Sequence, residues 1–346
     1  MLGRKAREAK LALEMLKFDC PSCGNSLFFN NQRCLRCDTE VNFSPRKLNF
    51  VVAEDSRECR NRTEHGVCNW QTSGADDLCP SCRKNEIIPD LSVEGNKDRW
   101  SALEEAKRRL LFSCLQLNLP LDGVSFKFLA STPDEPAMTG HADGLITINI
   151  DEACSASREA ARQNMEEKYR TLVGHFRHEY GHYYWDQAVL TDPQRLARCR
   201  QLFGDERADY QASLKEHYAA KEGQTDESDE SEAPPEHVSD YAQAHPWEDW
   251  AETFAHYLHM RDVLETAEEF GLAPRPVEAG FDFAHGLLEW QRLSVAFNEI
   301  NRSMGHHDLY PFTISEAIAE KLEFVHQVIT GGSPASQAPA PVPVTA

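Results

Sequence analysis

The chain has 346 residues, 41% hydrophobic and 27% charged, with a formal net charge of −20. That length and balance suit a soluble globular protein of two or more domains. No run of about 18 apolar residues is present, so no membrane span is expected, and so acidic a surface repels phosphate backbones and anionic lipid.

The opening stretch MLGRKAREAKLALEMLKF mixes apolar and charged residues. It reads as an amphipathic helix or a frayed end rather than a signal peptide, and a cytoplasmic location follows as the expectation. Eight of the eleven cysteines then fall within residues 20–82, a clustering that points to metal rather than disulfides. Cys20-x2-Cys23 and Cys34-x2-Cys37 have the spacing of a four-thiolate zinc site, and the segment resembles a zinc ribbon. Cys59, Cys68, Cys79 and Cys82 form a second set with one Cys-x2-Cys turn, read as a second structural zinc. His65 could replace one sulfur but reads as a loop residue. Four sulfurs close a coordination sphere, so both modules are structural. Arg33, Arg36, Arg46 and Lys47 near the first module read as solubilising. They are also where a nucleic acid would have to bind.

Residues 98–118 have the periodicity of an amphipathic helix with Trp100, Leu103, Leu110, Leu111, Cys114 and Leu117 on one face. Two strands are expected next, 124–130 and 144–150. GLITINI (144–150) could be a core strand or an edge to which an extended peptide adds. Cys114, Cys154 and Cys199 read as small core residues. A long helix is expected over 156–190, with further helices at 193–203, 205–220, 247–260, 284–303 and 313–330. Residues 221–240 carry eight acidic side chains and one lysine, so −7 of the charge sits there, and they read as a flexible surface insertion. The Pro/Ala-rich end reads as a disordered tail. The two cysteine modules are the only internal repeat.

The long helix carries RHEYGHYYWD, a His178-Glu179-x-x-His182 pattern. Residues four apart share a helix face, so His178 and His182 can hold one metal, with Glu179 placed to take a proton from water. His175 reads as a supporting or surface histidine. Two ligands do not hold a catalytic zinc, and the third is expected within 239–260. There Pro246 suits a helix start. Glu248 and Glu252 share a face, so one can ligate and the other can accept a hydrogen bond from a ligand imidazole. Asp249 points elsewhere; His256 and His259 are alternatives.

HEYGH followed by YAQAHPWEDWAETF resembles the gluzincin metallopeptidases, such as the catalytic domain of anthrax lethal factor. The resemblance implies that Glu248 is the zinc ligand, Glu252 its supporting glutamate and Tyr241 the tyrosine that stabilises the transition state. The longer gap between His182 and Glu248 sets this chain apart. With CNWQTSGADDLCPSCRKNEIIPDL, TGHADGLITINIDEA and HPWEDWAETFAHYL, nearly the whole chain is similar to a bacterial family of zinc-binding metallopeptidases with an N-terminal zinc ribbon. That name implies an activity class but no substrate.

The expected fold is α+β: a mainly helical gluzincin-like metallopeptidase domain with a small sheet (96–332), preceded by four-cysteine zinc-ribbon modules (1–50 and 51–95) and followed by the tail (333–346). The expected function is a zinc metallopeptidase with one catalytic and one or two structural zinc ions and a protein or peptide substrate. The alternative is a zinc-ribbon regulatory protein that binds nucleic acid or protein and whose peptidase-like part cleaves or only holds a partner.

Overall fold

The computed structural model describes residues 18–72, 75–132, 137–154, 171–222, 234–274 and 281–331. The expected N-terminal helix, the first turns of the long helix, the centre of the acidic segment and the tail lie outside them. Two hairpins come first: β1 (Phe18–Asp19) with β2 (Ser26–Leu27), and β3 (Val41–Ser44) with β4 (Asn49–Val52), both antiparallel. In the first module the residue after each Cys-x2-Cys turn is left-handed, Gly24 at φ 68° and Asp38 at φ 62°. That conformation turns the chain so that two sulfurs point the same way; glycine and aspartate tolerate it best. The short helix α1 (Arg60–Thr63) starts directly after Cys59.

Helix α2 (Asn96–Gln116) runs through the middle of the molecule. Trp100, Leu103, Leu110, Leu111 and Cys114 are buried as the periodicity requires, and Leu117 is half-buried. Glu104, Lys107, Arg108 and Phe112 are buried too, because partners pack on more than one side of the helix. Phe112 lies 5.7 Å from Phe43 and 5.9 Å from Phe18 between ring centroids, closing an aromatic cluster built by both hairpins. The ribbon therefore completes its core with a residue of the following helix.

A four-stranded sheet lies beside this helix. It contains β5 (Asn85–Ile87), β6 (Ser125–Leu129), β7 (Gly140–Ala142) and β8 (Leu145–Asn149) in the order β5-β6-β8-β7. β6 is parallel to β5 and β8, and β7 is antiparallel to β8. β6 and β8 bury alternate residues, Phe126, Phe128, Ile146 and Ile148. The GLITINI strand is interior, as the core reading has it: β6 pairs with one side and β7 with the other, and among the described residues the edges of the sheet are β5 and β7. Asp143 and Gly144, at φ 50° and 81°, make the two-residue turn between β7 and β8, the Asp-Gly choice that such hairpins favour.

The rest is helical: α3 (Leu172–Ala188), α4 (Pro193–Phe203), α5 (Tyr210–Glu222), α6 (Pro246–Glu269), α7 (Phe283–Ser303) and α8 (Glu316–Thr330). Mostly helical with small sheets and cysteine clusters at its N-terminal side, the molecule is α+β. Cys114 and Cys199 are buried, whereas Cys154 is only half-buried, at the end of the short 3-10 turn Ile150–Ala153. Residues 234–240 do not stand clear as an insertion. Val238 is buried, Lys321 of α8 donates to the Glu236 carbonyl at 2.8 Å, and Ser315 donates to that of Pro235 at 2.5 Å.

Candidate metal centre

Helix α3 is capped by Thr171, whose hydroxyl accepts from the Gly174 N–H at 3.0 Å. Every residue from Phe176 to Trp185 is buried, so the polar groups of the HEYGH stretch must find partners or a cation. The helix is tied to the loop before β6: Tyr180 donates to the Pro120 carbonyl at 2.7 Å, and Tyr183 to that of Asp122. Phe176 packs on Phe126 and Phe128 of β6. Gly181 sets the depth of the approach between α3 and α6. A Cβ on it would stand 3.2 Å from the Ala251 Cα and the Phe254 ring. Trp250 donates its indole N–H to the Gly181 carbonyl at 3.0 Å, clamping the two helices at that point.

Helix α6 starts where Pro246 and the following carboxylates place it. His245 is the cap, its ring accepting from the Trp247 N–H at 3.1 Å. Its first turns bring Glu248 against α3. Glu248 Oε2 lies 2.9 Å from His178 Nε2 and 3.4 Å from His182 Nε2, and the two imidazole nitrogens are 3.1 Å apart. A tetrahedral ion with bonds of about 2.0–2.1 Å holds its ligands about 3.3–3.4 Å apart, so a zinc fits among these three atoms. Chemistry agrees with size. Burial alone would pull His178 down, but Glu248 and Glu252 hold it well above the usual imidazole value. Burial pushes Glu248 up, and His182 and His178 outweigh it, leaving it well below the usual carboxylate value. The cluster concentrates donors of lone pairs around a point that calls for positive charge.

The remaining oxygens and nitrogens are assigned by contact. Glu252 Oε1 accepts from His178 Nδ1 at 2.7 Å, and its other oxygen accepts from the Ser239 hydroxyl at 2.6 Å. A proton fixed on Nδ1 leaves the Nε2 lone pair for a metal. Trp247 covers the His182 ring at 3.8 Å between centroids, and His141 of β7 stacks on it from 6.4 Å. Burial, and then His182, push His141 down to about 4, so it is neutral at pH 7.

The centre opens into a cleft of about 1080 Å³, lined in part by Glu179, Tyr210, Tyr241, His175 and residues 234–240. Glu179 is 9% exposed. Burial raises its pKa against the pull of His178, His182 and His175, which moves a carboxylate toward the range where it can take and return a proton. Tyr241 opens the 3-10 turn before α6, its ring 5.8 Å from that of His178, and burial and Glu248 keep its hydroxyl protonated. The alternative ligands lie elsewhere. His256 pairs with the Tyr310 hydroxyl at 2.7 Å and His259 with Arg177. Asp249 makes a buried ion pair with Lys321 at 2.6 Å, and His175 pairs with Glu152. Two residues of the centre go unmarked in the sequence, Tyr210 and Ser239. His141 sits beside an Asp-Gly turn signal that would have revealed β7.

Both cysteine sets converge as well. Cys20 and Cys37 sulfurs lie 3.6 Å apart, Cys23 and Cys34 3.7 Å, and Cys68 and Cys79 3.6 Å. A tetrahedral zinc with four thiolate ligands holds sulfurs about 3.8 Å apart, whereas a disulfide brings them to about 2.0 Å. Backbone N–H groups of Trp70, Cys79 and Cys82 point at sulfurs of the second set at 3.3–3.4 Å, favouring thiolates there. His65 stands apart from these sulfurs, beside Trp100.

A mostly helical chain with a small sheet thus carries three clusters that could each hold a metal ion, two of four cysteines and one of His178, His182 and Glu248. The chain belongs to the family described as "Putative zinc-binding metallo-peptidase", whose model matches residues 96–328. A zinc-ribbon domain model matches residues 17–93, spanning both cysteine sets. Similar relatives are uncharacterized proteins of Mycobacterium bovis and of two strains of Mycobacterium tuberculosis. Each is 39% identical over 344 residues that span 92% of this chain and 97% of the relative. No solved structure matches the chain, so the gluzincin resemblance rests on the residues quoted above. Among the described residues no helix is long and apolar enough to cross a membrane.

Proposed function

We propose that this chain is a cytoplasmic zinc endopeptidase of gluzincin type, with His178, His182 and Glu248 as ligands of the catalytic zinc. One structural zinc then sits in each cysteine cluster. The observation that carries the reading is the meeting of Nε2, Nε2 and a carboxylate oxygen within 3.4 Å of one another, beside a cleft that His178, Glu179 and Tyr241 line.

A zinc ion in this place supplies Lewis acidity, acidifying water and polarising a carbonyl. Glu179 takes the proton from the attacking water and passes it to the leaving amine nitrogen. Tyr241 donates a hydrogen bond to the carbonyl oxygen as it gains negative charge; one such donor is typically worth about 100- to 1,000-fold in rate. Glu252 keeps the His178 ring in the tautomer that presents Nε2. The outer edge of β7, beside His141 and His182, offers main-chain groups along which an extended peptide would align.

Glu179→Gln tests the reading. It removes the base and leaves every proposed ligand in place. Cleavage should fall by at least about 100-fold, the low end of what a positioned acid–base group contributes, with zinc content unchanged. Comparing protein termini in cells carrying wild type and Glu179→Gln identifies the substrate. Full cleavage by Glu179→Gln would rule the mechanism out.

A further inference from the structure

The two oxygens of Glu248 have different partners. Oε2 faces the imidazole nitrogens of His178 and His182 at 2.9 and 3.4 Å, with no hydrogen-bond partner of its own among the described residues. Oε1 accepts from the hydroxyl of Tyr210 at 2.7 Å. Tyr210 comes from a separate helix, the first residue of α5, 38 positions before Glu248. Its place is fixed from both sides. Asp209 caps the helix by accepting from the Ala212 N–H at 3.0 Å, and His245 bonds the Ala208 carbonyl at 3.2 Å. The Tyr210 ring also packs edge-on against His245 and Trp247, at 5.3 and 6.2 Å between centroids.

A carboxylate can offer a cation one oxygen or both. A donor locked onto one oxygen removes it from competition and stops the group from rotating. We infer that Tyr210 is a positioning residue: its hydroxyl reserves Oε1 of Glu248, so that Oε2 alone is presented beside the two histidines. The inference rests on the metal site proposed above. It assigns the hydroxyl a task distinct from that of Tyr241, although both tyrosines line the cleft.

Tyr210→Phe deletes the hydroxyl and keeps the ring that packs on His245 and Trp247, so the fold is retained. The full-length chain is titrated with chelators, and the zinc missing from a His178→Ala chain identifies this site against the cysteine clusters. Tyr210→Phe should weaken zinc at the site by about 10- to 100-fold, the usual effect of losing a hydrogen bond to a metal ligand. Cobalt(II) supplies the readout that mere loosening would not move. In the difference spectrum against His178→Ala, the freed Oε1 should raise the coordination number and lower the intensity of the visible bands. A loss of affinity smaller than about tenfold overturns the inference, and so does a larger loss with unaltered bands. If wild type and His178→Ala hold the same amount of zinc, the metal site itself is refuted and the inference goes with it.

Discussion

Glu252 shows how much a residue can contribute without touching the reacting atoms. Both its oxygens are occupied, by His178 Nδ1 at 2.7 Å and by Ser239 at 2.6 Å. Burial raises its pKa, and His178 more than offsets this, bringing it down to about 2. The group therefore stays ionised throughout the neutral range and keeps its grip on the ring. Glu252→Ala leaves a buried N–H with no acceptor and a ring free to turn. It should lower zinc affinity at this centre about 10- to 100-fold while both cysteine clusters keep their metal. Chelator titration with cluster-resolved zinc counts checks this. Much of this residue-level site is legible in the sequence, because helical spacing fixes which side chains share a face. His178 and His182 are one turn apart, as are Glu248 and Glu252. Tyr210 is not legible. Its contact with Glu248 joins two elements across a long stretch of chain, and no periodicity marks it.

At the scale of elements, the pairing of α3 with α6 decides whether the centre exists. Gly181 allows the helices to approach, and Ala251 on the facing helix is similarly small. Replacing glycine in a helix ordinarily gains up to about 1 kcal/mol in propensity, less for a β-branched residue. Here the added atoms meet the Ala251 backbone and the Phe254 ring at 3.2 Å, and backbone cannot swing aside. Overpacking of this kind costs about 1–3 kcal/mol, so the steric term wins. Gly181→Val should lower the melting temperature by about 2–10 °C. It should also weaken zinc, because His182 and Glu248 ride on the two helices being forced apart. A Gly181→Val chain that melts no earlier than wild type would contradict this packing. Helix α2 was readable from its apolar spacing, whereas α5 starts at Tyr210 rather than at 205 and α6 continues to Glu269, past the expected end at 260. β5 and β7, at three residues each, are too short to show alternation, and so the place of GLITINI within the sheet was hidden.

For the whole molecule, the question is whether the ribbon modules are appendages or part of one core. Composition separates them cleanly, and short cysteine-rich sequence gives no hint of what packs on it. The structure shows shared packing instead. Phe112 of α2 sits in the aromatic cluster of the hairpins. Arg108 donates to the Val67 carbonyl at 2.8 Å, beside Cys68. Glu104 lies 4.0 Å from the Cys82 sulfur while holding Lys107 at 2.8 Å, all of them buried. The same helix reaches the metal-centre helices through Ser113, which donates to Asp262 of α6 at 2.8 Å, and Asp262 in turn pairs with Arg177 of α3. A zinc lost from the second cluster would thus loosen the loops that cover the Glu104–Lys107 pair and Arg108 on α2. Structural zinc contributes about 10–16 kcal/mol to the folding of small modules, and about 1 kcal/mol shifts melting by roughly 2–4 °C in domains of 150–250 residues. Even if only a third of that reaches α2, Cys68→Ser should lower the melting temperature of the full chain by about 6 °C or more. The change should come as one calorimetric transition moving together, and zinc at the His178–His182–Glu248 centre should fall with it. Two separate transitions, the later one at the wild-type temperature, would show that the ribbons fold apart from the centre and that the contacts along α2 carry no stability between them.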